Sequence, residues 1–584
     1  MCGIAGIAHL DGSPVSPDTI RAMCDLIRHR GPDDAAVWTG DAAGLGQRRL
    51  SIIDLSPRGR NPMPNEDESL FLVANGEIYN YRELKAPLLE AGHRFRSDTD
   101  TEVLLHSYEE RGTDAILPLN GMFAFALWDR KQRRLVLARD RFGVKPLYYT
   151  TIGNTFAFAS EIKAFRGIPE FRAKADPIGL AEHFTFQNTF GERTLFEGVH
   201  LLEAGHLLVL ENGAIHKHRY WDLAYEPEGG RTLQQWAHGL RERFEQAVQR
   251  QLMSDVPLGT YLSGGMDTGA ISAVSSQNIS QLHTFTCGFD IPEDATDLEQ
   301  FFDERAESHR LSRVLRTIHH ELELGPDAMS AVLPQVVWHL DEPRAGISYQ
   351  VYLTAEMIRQ HVTVVLSGVG GDELFAGYPW KYGPAIDDDA LYRQAIRFLT
   401  DSEKRGFFSK AIDYSTRDSF DNVMAHAVAD GPLHRALYFD FKTFLNALLI
   451  VDDKLAMAHS LEARVPFLDN DLVDYARRIP ADLKLRDGEG KLVLREAMRG
   501  LLPDETIFRR KQGFTPPDET WYRGHSLPHV RDLILGERAL DRGYFRAEAL
   551  QQILDEHVNG RKNHRFLLWS LMCFEWWNRL FVDR

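Results

Sequence analysis

A chain of 584 residues is too long for one hydrophobic core and predicts two to four domains. Its 43% hydrophobic and 26% charged residues are typical of a soluble globular protein, and no apolar run reaches the roughly 20 residues that span a bilayer. A net charge of −17 argues against a nucleic-acid binder. Cys2, Cys24, Cys287 and Cys573 show no CxxC spacing, so cysteine indicates neither a zinc site nor a disulfide framework. Without a signal-peptide pattern, a reducing cytoplasm is the expected location.

The residue after the initiator is a cysteine. If Met1 is removed, Cys2 carries a thiol and a free α-amino group on one residue. That amine has a pKa of about 8 and can act as the base for the thiol, directly or through water. In isolation, a cysteine at position 2 is more readily explained by chance, so the prediction of a nucleophile depends on the residues that follow.

Polar motifs then stand within or beside apolar segments. Asn75, Gly76 and Glu77 lie in the middle of a strand-like segment, where turn residues are unexpected. Arg49 stands beside an apolar strand, and residues 97–102 open a helix with Asp or Thr available as the cap. Each charged residue taken alone is equally compatible with a solvated surface position.

Together these motifs resemble the class II glutamine amidotransferase domain, whose mature N-terminus is a nucleophilic cysteine. The resemblance extends from Cys2 to about Leu210 and implies the α+β layered sandwich of the N-terminal-nucleophile hydrolases. It implies that Cys2 attacks the side-chain amide of glutamine, and that Asn75 and Gly76 form the oxyanion hole for the tetrahedral intermediate.

The same resemblance implies a binding site for the free amino acid groups of glutamine. Arg49 is expected to pair with the α-carboxylate, a planar contact that arginine makes well. Glu77 and Asp100 are expected to hold the α-ammonium group. The implied glutamine-binding set is Arg49, Ile53, Asn75, Gly76, Glu77 and Asp100.

The pattern between these motifs is mostly that of strands. Residues 121–129 and 134–140, separated by a charged turn, predict an antiparallel hairpin. A later stretch rich in Gly, Pro and Glu indicates a linker. We therefore predict a glutamine amidotransferase domain over residues 1–212, a linker over 213–231 and a second domain over 232–584.

In the second half, a Gly-rich loop follows a short apolar strand. Ser263, Gly264 and Gly265 end that strand, and a helix begins near Asp267. Such a joint collects unpaired backbone N–H groups and the positive end of a helix, which together suit a phosphate. Thr268 and Ser263 add hydroxyl donors, and Asp267 is a candidate Mg²⁺ ligand. An ordinary strand-to-helix turn is the alternative, and the Walker pattern does not fit because no Gly-Lys-Ser/Thr follows.

Strand-like runs alternate with helical segments in this half, beginning with an amphipathic helix over residues 233–254. The runs are residues 258–262, 283–289 and 361–366. This alternation predicts an α/β doubly wound parallel sheet with ligands at the carboxyl ends of its strands. A nucleotide is therefore expected to contact Leu262, Cys287, Ser367 and Gly368, with Cys287 as a strand-end residue rather than a second nucleophile.

A second Gly-rich loop begins at Ser367 and ends in the paired carboxylates Asp372 and Glu373. Two such loops on one sheet fit a metal-bridged triphosphate, with Asp267 and Asp372 as candidate Mg²⁺ ligands. A helix-cap role is the alternative for the carboxylate pair. Lys491 is a candidate for stabilising charge as an acyl-adenylate forms or breaks, and a solvated helix lysine is its alternative.

The first loop resembles the pyrophosphate loop (Ser-Gly-Gly-x-Asp-Ser) of ATP pyrophosphatases, with Thr268 at the last position. The second half as a whole resembles the synthetase domain of glutamine-dependent asparagine synthetases. This implies that MgATP activates a carboxylate as an acyl-AMP, and that ammonia from glutamine reaches it through an internal tunnel. The implied ATP-binding set is Leu262, Ser263, Gly264, Gly265, Asp267, Thr268, Cys287, Ser367 and Gly368, and the implied catalytic set is Cys2, Asn75, Gly76, Lys491 and Glu373.

One position departs from that family. Its second loop has Ser-Gly-Glu-Gly, and this Glu is implicated in forming and using the aspartyl adenylate, whereas Val369 stands here. Glu373 or the pair Asp341–Glu342 are alternatives for that role, and Arg344 is an alternative for binding aspartate. The leading hypothesis is an enzyme that forms asparagine from aspartate, glutamine and ATP. The second is a related ligase that amidates a different carboxylate, and the third is a hydrolase or regulatory protein whose second half only binds nucleotide.

Residues 565–577 predict an aromatic-rich C-terminal helix. Because charges flank both of its ends, we interpret it as packing against the core rather than as a membrane anchor. A homodimer interface is the other possible use of such a helix.

Overall fold

The computed structural model describes residues 2–383, 386–509 and 515–583. Within them, the first half of the chain forms two antiparallel sheets. The strands of this half are β1 Cys2–His9, β2 Asp34–Gly40, β3 Ala43–Arg49, β4 Met63–Pro64, β5 Leu70–Ile78, β6 Gly121–Asp129, β7 Arg134–Arg139, β8 Tyr148–Ile152, β9 Thr155–Ala159, β10 Val199–Leu201, β11 His206–Glu211 and β12 Ala214–Arg219. The helices are α1 Pro17–Leu26, α2 Tyr81–Glu90, α3 Glu102–Arg111 and α4 Pro177–Phe186.

The two sheets pack face to face. Their strand orders are β10-β8-β9-β1-β3-β2 and β12-β11-β7-β6-β5-β4. Ile4 and Leu45 of the first sheet and Val73 and Leu137 of the second share one apolar core, as the alternation of side chains along each strand requires. Helices α2 and α3 cover the outer face of the second sheet through the apolar residues of another cluster. The predicted α+β sandwich is confirmed.

The strands confirm one local prediction and correct another. The predicted hairpin is the antiparallel pair β6–β7. Residues 214–219, which fall in the predicted linker, instead form β12 and pair with β11 along its full length. All six residues of β12 are exposed, so main-chain hydrogen bonds rather than an apolar pattern define this edge strand. The connection to the next element is therefore shorter than predicted, and it begins at Tyr220.

The second half surrounds a parallel sheet with helices. Its strands are β13 Leu258–Tyr261, β14 His283–Phe289, β15 Ile318–Leu324, β16 Val364–Leu366 and β17 Glu462–Arg464, and a small hairpin adds β18 Leu485–Arg486 and β19 Glu489–Gly490. The helices are α5 Leu233–Gln251, α6 Met266–Asn278, α7 Arg305–Leu315, α8 Ala328–Leu340, α9 Ser348–Arg359, α10 Gly371–Phe375, α11 Asp388–Ala395, α12 Asp401–Phe407, α13 Thr416–Met424, α14 Gly431–Asp440, α15 Asn446–Met457, α16 Asn470–Ala476, α17 Leu492–Met498, α18 Asp504–Ile507, α19 Asp518–Arg523, α20 Leu527–Leu535, α21 Glu537–Asp541, α22 Ala547–Val558 and α23 Arg565–Trp577.

The parallel sheet has the strand order β15-β14-β13-β16-β17 in the described residues. The three predicted strands are its central members β14, β13 and β16, so the predicted doubly wound α/β fold is confirmed. The sequence did not indicate the two edge strands. β15 is rich in His and Glu and β17 has three residues, because an edge strand needs neither length nor a continuous apolar run.

Buried charges join the two halves. Asp453 of α15 is 2% exposed, and its two oxygens pair with Arg30 at 2.8 Å and with Lys145 at 3.2 Å. Both cations belong to the first half, and each is fully buried. Loss of one member would leave an uncompensated buried charge, so this cluster fixes how the halves meet.

The C-terminal helix α23 lies inside the protein. Most of its residues are buried, including Leu568, Trp569 and Trp577, and they share one apolar cluster with residues of α8 and α20. Among the described residues, no helix combines the length and the hydrophobicity that crossing a bilayer requires.

Candidate active sites

Cys2 lies at the start of β1, where its main chain is held from two sides. Its N–H donates to Asn75 Oδ1 at 3.0 Å, and its carbonyl accepts from Arg30 Nε at 3.1 Å. Because Asn75 belongs to β5 of the other sheet, Cys2 lies where the two sheets approach each other. Burial raises the pKa of the Cys2 thiol, which therefore needs a base to become a nucleophile. Met1, whose removal would free that base, lies outside the described residues.

Asn75 and Gly76 present donors beside Cys2. Asn75 is fully buried, and its Nδ2 has no hydrogen-bond partner within the part of the chain that the structure describes. A buried amide donor without a hydrogen-bond partner destabilises the folded protein, and a hydrogen bond to an acceptor of a bound ligand removes this cost. Gly76 has φ +148°, and a Cβ at this position would lie 2.0 Å from the Met122 carbonyl oxygen, so only glycine fits. These two positions suit the oxyanion role expected of them.

Two carboxylates meet in the interior next to these donors. Glu77 and Asp100 are 3% and 2% exposed, and Asp100 Oδ2 accepts from the Ile78 N–H at 2.5 Å. Burial above all, and then neighbouring carboxylates such as Glu462, raise the pKa of both groups, that of Asp100 to about 6. A cation bound between them would favour their charged forms. This environment suits an α-ammonium group.

Arg49 lies directly opposite Cys2 across the β1–β3 pair. Its guanidinium donates to the carbonyls of Asp54 at 2.5 Å and Ser56 at 2.7 Å, so it holds the loop that contains Ile53. The predicted glutamine-binding residues thus lie on β3, on β5 and on the two loops 50–56 and 97–101, with Arg49 opposite Cys2 and Asn75 hydrogen-bonded to it.

A cavity of about 440 Å³ opens at the carboxyl ends of β13, β14 and β16. We call it the loop cavity, because both Gly-rich loops line it. Of the predicted residues, its wall contains Ser263, Gly265, Asp267, Thr268, Cys287, Ser367, Gly368, Asp372, Glu373 and Lys491. Leu262 and Gly264 do not line it: Leu262 is fully buried, and the Gly264 carbonyl accepts from Arg509 at 3.4 Å. Burial raises the pKa of Cys287 to about 12, which favours the neutral thiol and agrees with its interpretation as a strand-end residue.

The first loop is organised by two hydroxyl groups. Thr268 Oγ1 accepts from the Ser263 N–H at 3.0 Å, and the two side-chain oxygens are 2.9 Å apart. Helix α6 begins after Gly265 with no side-chain cap, so the N–H groups of its first turn are available to a ligand. A Cβ on Gly368 would lie 2.9 Å from Thr268 Cγ2, which shows that the two loops are in contact.

Lys491 lies between the two candidate metal ligands. Its Nζ is 2.5 Å from Asp267 Oδ2 and 2.5 Å from Asp372 Oδ1. The other oxygen of Asp267 has no hydrogen-bond partner among the described residues. Carboxylate oxygens are the ligands that Mg²⁺ prefers, so this pair could hold the ion beside the ammonium group.

Glu373 forms a buried pair with a tyrosine. It is 1% exposed, and its Oε1 accepts from the Tyr378 O–H at 2.9 Å. Burial, and then the charge of Asp372, raise the pKa of Glu373 to about 7. Val369 and Tyr378 line the same cavity. Glu373 is therefore one carboxylate of this cavity whose raised pKa permits proton exchange close to neutral pH, and Asp452, whose pKa burial raises to about 6, is another.

One residue connects the two sites. Arg464 of β17 is fully buried, and its Nη2 is 3.8 Å from Glu77 Oε2. Its Nε donates to Glu462 at 2.6 Å, and its carbonyl accepts from the Ser367 N–H at 2.7 Å. Arg464 thus lies between the carboxylate of Glu77, near Cys2, and the second Gly-rich loop of the cavity.

Two family models match this chain. The "Asparagine synthase" model matches residues 239–579, and the "Glutamine amidotransferase domain" model matches residues 1–221. The "Asparagine synthetase [glutamine-hydrolyzing] 1" of Bacillus subtilis is 30% identical over 631 aligned positions, which cover 100% of this chain and 97% of the relative. The chain belongs to the asparagine synthase family. The resemblance inferred from the sequence motifs is confirmed.

Two further curated relatives have a similar identity to this chain. The "Asparagine synthetase [glutamine-hydrolyzing] 3" of Bacillus subtilis is 32% identical over 536 positions, covering 88% of this chain and 87% of the relative. "Amidase chry2" of Gibberella zeae is 30% identical over 657 positions, covering 96% of this chain and 95% of the relative.

The alternatives considered for the missing family glutamate separate in space. Asp341 accepts from the Ile162 N–H at 2.9 Å and pairs with Lys454 at 2.7 Å. Glu342 pairs with Arg344 at 2.8 Å. None of Asp341, Glu342 and Arg344 lines the loop cavity, and Asp341 and Glu342 bind main-chain N–H groups of the first half. Glu373 is the alternative that lies in the cavity.

Sequence reasoning assigned no role to two arginines that line the loop cavity, Arg495 and Arg509. Arg495 follows Lys491 by four residues at the start of α17, and its N–H donates to the Lys491 carbonyl at 2.8 Å. That spacing places both cations on one side of the helix, which is a signal that could have found Arg495. The basic run 509–511 is the corresponding signal for Arg509, and residues 510–514 lie outside the described residues.

Proposed function

We propose that this chain is a glutamine-dependent asparagine synthetase. ATP activates the side-chain carboxylate of aspartate as an acyl-AMP with release of pyrophosphate, and ammonia from glutamine converts the acyl-AMP into asparagine and AMP. The observation that carries the proposal is the presence, in one family member, of Cys2 with the unpaired Asn75 donor and of the loop cavity with Asp267, Lys491 and Asp372.

The N-terminal site releases ammonia. Cys2 Sγ attacks the side-chain carbonyl carbon of glutamine, and its proton passes to the α-amine of the mature N-terminus. Asn75 Nδ2 and the Gly76 N–H donate to the oxyanion that forms. The C–N bond then breaks, ammonia leaves with a proton from the amine, and water hydrolyses the thioester to glutamate.

The residues of the loop cavity fit magnesium. Asp267 has one carboxylate oxygen without a hydrogen-bond partner among the described residues, and Asp372 lies on the opposite side of the Lys491 ammonium group. When bound, Mg²⁺ neutralises charge on the phosphates of ATP. Ser263, Thr268 and the first-turn N–H groups of α6 donate to phosphate oxygens. Lys491 stabilises the charge that develops on the departing pyrophosphate.

Glu373 acts as the general base of the amide-forming step. Ammonia attacks the acyl carbon, a C–N bond forms, and the ammonium-like intermediate must lose a proton before AMP leaves. Glu373 Oε accepts this proton, while the Tyr378 O–H keeps the carboxylate oriented at 2.9 Å. Departure of AMP breaks the C–O bond and completes the amide.

Glu373→Gln is expected to lower ammonia-dependent amide formation by about 10²- to 10⁴-fold, the usual contribution of a general base. Exchange of pyrophosphate into ATP in the presence of the acceptor should continue, because adenylation does not use this proton. Glu356→Gln, an exposed residue of α9, is the matched control and should leave both rates unchanged. An unchanged rate of amide formation in a folded Glu373→Gln enzyme would assign the proton transfer elsewhere.

A related ligase that amidates a different carboxylate is the second candidate. Val369 replaces the expected glutamate, and one wall of the loop cavity is apolar, with Ile347, Val351, Phe444 and Leu448 among its residues. Such a wall favours an acceptor that carries an apolar group in addition to the reacting carboxylate. An acceptor whose other groups are all charged is disfavoured there.

Pyrophosphate release with MgATP and glutamine, measured with aspartate and with a panel of other carboxylates, tests both candidates. We expect strong stimulation by aspartate, with asparagine formed in equal amount. A response to another carboxylate and none to aspartate would support the second candidate and contradict the first. No stimulation by any acceptor, with glutaminase activity intact, would contradict both.

A further inference from the structure

Two histidines and two glutamates converge in the first half of the chain, outside both sites described above. Glu66 lies in the turn between β4 and β5, His93 follows α2, and His106 and Glu109 belong to α3. One ligand atom from each of the four lies within 4.8 Å of the other three. These residues come from three separate segments, so tertiary folding brings them together.

The distances within the cluster match a tetrahedral metal site. His106 Nδ1 is 2.9 Å from Glu109 Oε2 and 3.7 Å from Glu66 Oε2, and His93 Nδ1 is 3.4 Å from Glu109 Oε2. Four ligands with zinc bonds of about 2.0–2.1 Å stand about 3.3 Å apart at tetrahedral angles. The three separations lie on both sides of that value, so small side-chain rotations suffice to reach it.

The Nε2 atom of each imidazole faces a carboxylate outside the cluster. His93 Nε2 hydrogen-bonds to Glu110 Oε1 at 2.9 Å, whereas His106 Nε2 is 3.6 Å from Glu102 Oε1 and has no hydrogen-bond partner among the described residues. Metal-binding histidines commonly donate their other ring N–H to a carboxylate, which fixes the tautomer and the ring orientation. With Nε2 protonated, both Nδ1 lone pairs are directed into the cluster.

The two glutamates are held in the same way. Glu66 Oε1 accepts from the Arg94 N–H at 2.8 Å, and Glu109 Oε1 accepts from Asn65 Nδ2 at 2.7 Å. In each case one oxygen is anchored and the other, Oε2, belongs to the cluster. Three of the four ligands, His93, Glu66 and Glu109, are thus oriented by a hydrogen bond from outside the cluster.

The electrostatics also favour a dication. Four carboxylates, those of Glu66, Glu102, Glu109 and Glu110, surround two imidazoles. The side chain of His106 is 2% exposed and that of Glu66 35% exposed, so the cluster has one open side through which an ion can enter.

We propose that Glu66, His93, His106 and Glu109 bind one Zn²⁺ ion. Two imidazole nitrogens and two carboxylate oxygens form a neutral complex with a dication and suit this metal class. The ion ties the loop between α2 and α3 to helix α3, and the far end of that loop carries Asp100 of the glutamine site. Its role is structural, because four protein ligands leave no open position.

A second group of histidines does not support a site. His283, His320 and His361 also lie close together. His283 Nδ1 and His320 Nε2 hydrogen-bond to each other at 2.9 Å, and the rings of His320 and His361 stack at a centroid distance of 3.9 Å. Nitrogen lone pairs lie in the ring planes, so the stacked ring of His361 does not direct a lone pair at the point where the other two nitrogens meet. This group provides a matched control.

The test is zinc affinity, measured by competition with a chromogenic chelator after the full-length protein has been stripped of metal. Wild type and His361→Gln are expected to bind one tight Zn²⁺ per chain. Glu110→Gln, which removes the support of His93, should weaken binding by about 10- to 100-fold, and His93→Gln should weaken it further. Glu110 lies near the surface, with a side chain 47% exposed, so its replacement is compatible with folding.

Thermal unfolding gives a second readout. Because a ligand of the folded state alone stabilises it, Zn²⁺ should raise the unfolding temperature of wild type and of His361→Gln relative to chelator, and should not raise that of His93→Gln. The proposal fails if wild type binds zinc no more tightly than His93→Gln does. It also fails if His361→Gln, and not His93→Gln, loses the ion.

Discussion

Cys2→Ala is expected to abolish glutamine-dependent amide formation, by at least about 1,000-fold, while synthesis driven by added ammonia continues near the wild-type rate. The reason is that the thiol is the only group proposed to attack glutamine, whereas ammonia from solution enters the second reaction directly. The measurement is the rate of amide formation with saturating glutamine and, separately, with saturating ammonium at a pH where free ammonia is present.

Cys24→Ala is the matched control for this experiment. Cys24 lies on α1, is 3% exposed, and packs beneath Gly46 of β3 rather than beside Asn75. Its replacement should leave both activities intact. If a folded Cys2→Ala enzyme loses both activities together, the assignment of two separate sites is wrong.

Asp267→Asn is expected to lower pyrophosphate release by about 100-fold and to leave glutaminase activity unchanged. Losing a ligand of the metal that neutralises the phosphates removes several kcal/mol of transition-state stabilisation, and about 3 kcal/mol corresponds to a factor of this size. The substitution also removes one of the two carboxylates that hold Lys491 at 2.5 Å, which adds to the loss. Pyrophosphate release and glutamate formation are measured on the same preparation.

Asp541→Asn, an exposed residue at the end of α21, is the corresponding control and should change neither rate. If Asp267→Asn retains full pyrophosphate release, Asp267 is not a metal ligand. If the Asp267→Asn enzyme also loses glutaminase activity, the two sites are coupled. Arg464, which contacts residues of both sites, is then the residue to examine.

Local patterns in the sequence were sufficient to predict the central strands of both halves. Two strand-like runs separated by a charged turn predicted the β6–β7 hairpin, and three apolar runs predicted the central strands β13, β14 and β16, because burial on both faces leaves a clear signature. Short motifs such as Asn75–Gly76 and Ser263–Thr268 also identified positions that the structure brings to Cys2 and to the loop cavity.

What the sequence determined by itself was therefore local: backbone preference, burial pattern and the residue types in each motif. Tertiary structure decided the rest. It paired the polar strand β12 through main-chain hydrogen bonds, placed Asp341 against the first half and Glu373 in the cavity, and set Arg464 between the two sites. It also assembled the cluster of Glu66, His93, His106 and Glu109. These outcomes depend on contacts between residues far apart in the chain, whose distances no local pattern encodes, and on desolvation, which acts only once the halves have packed together.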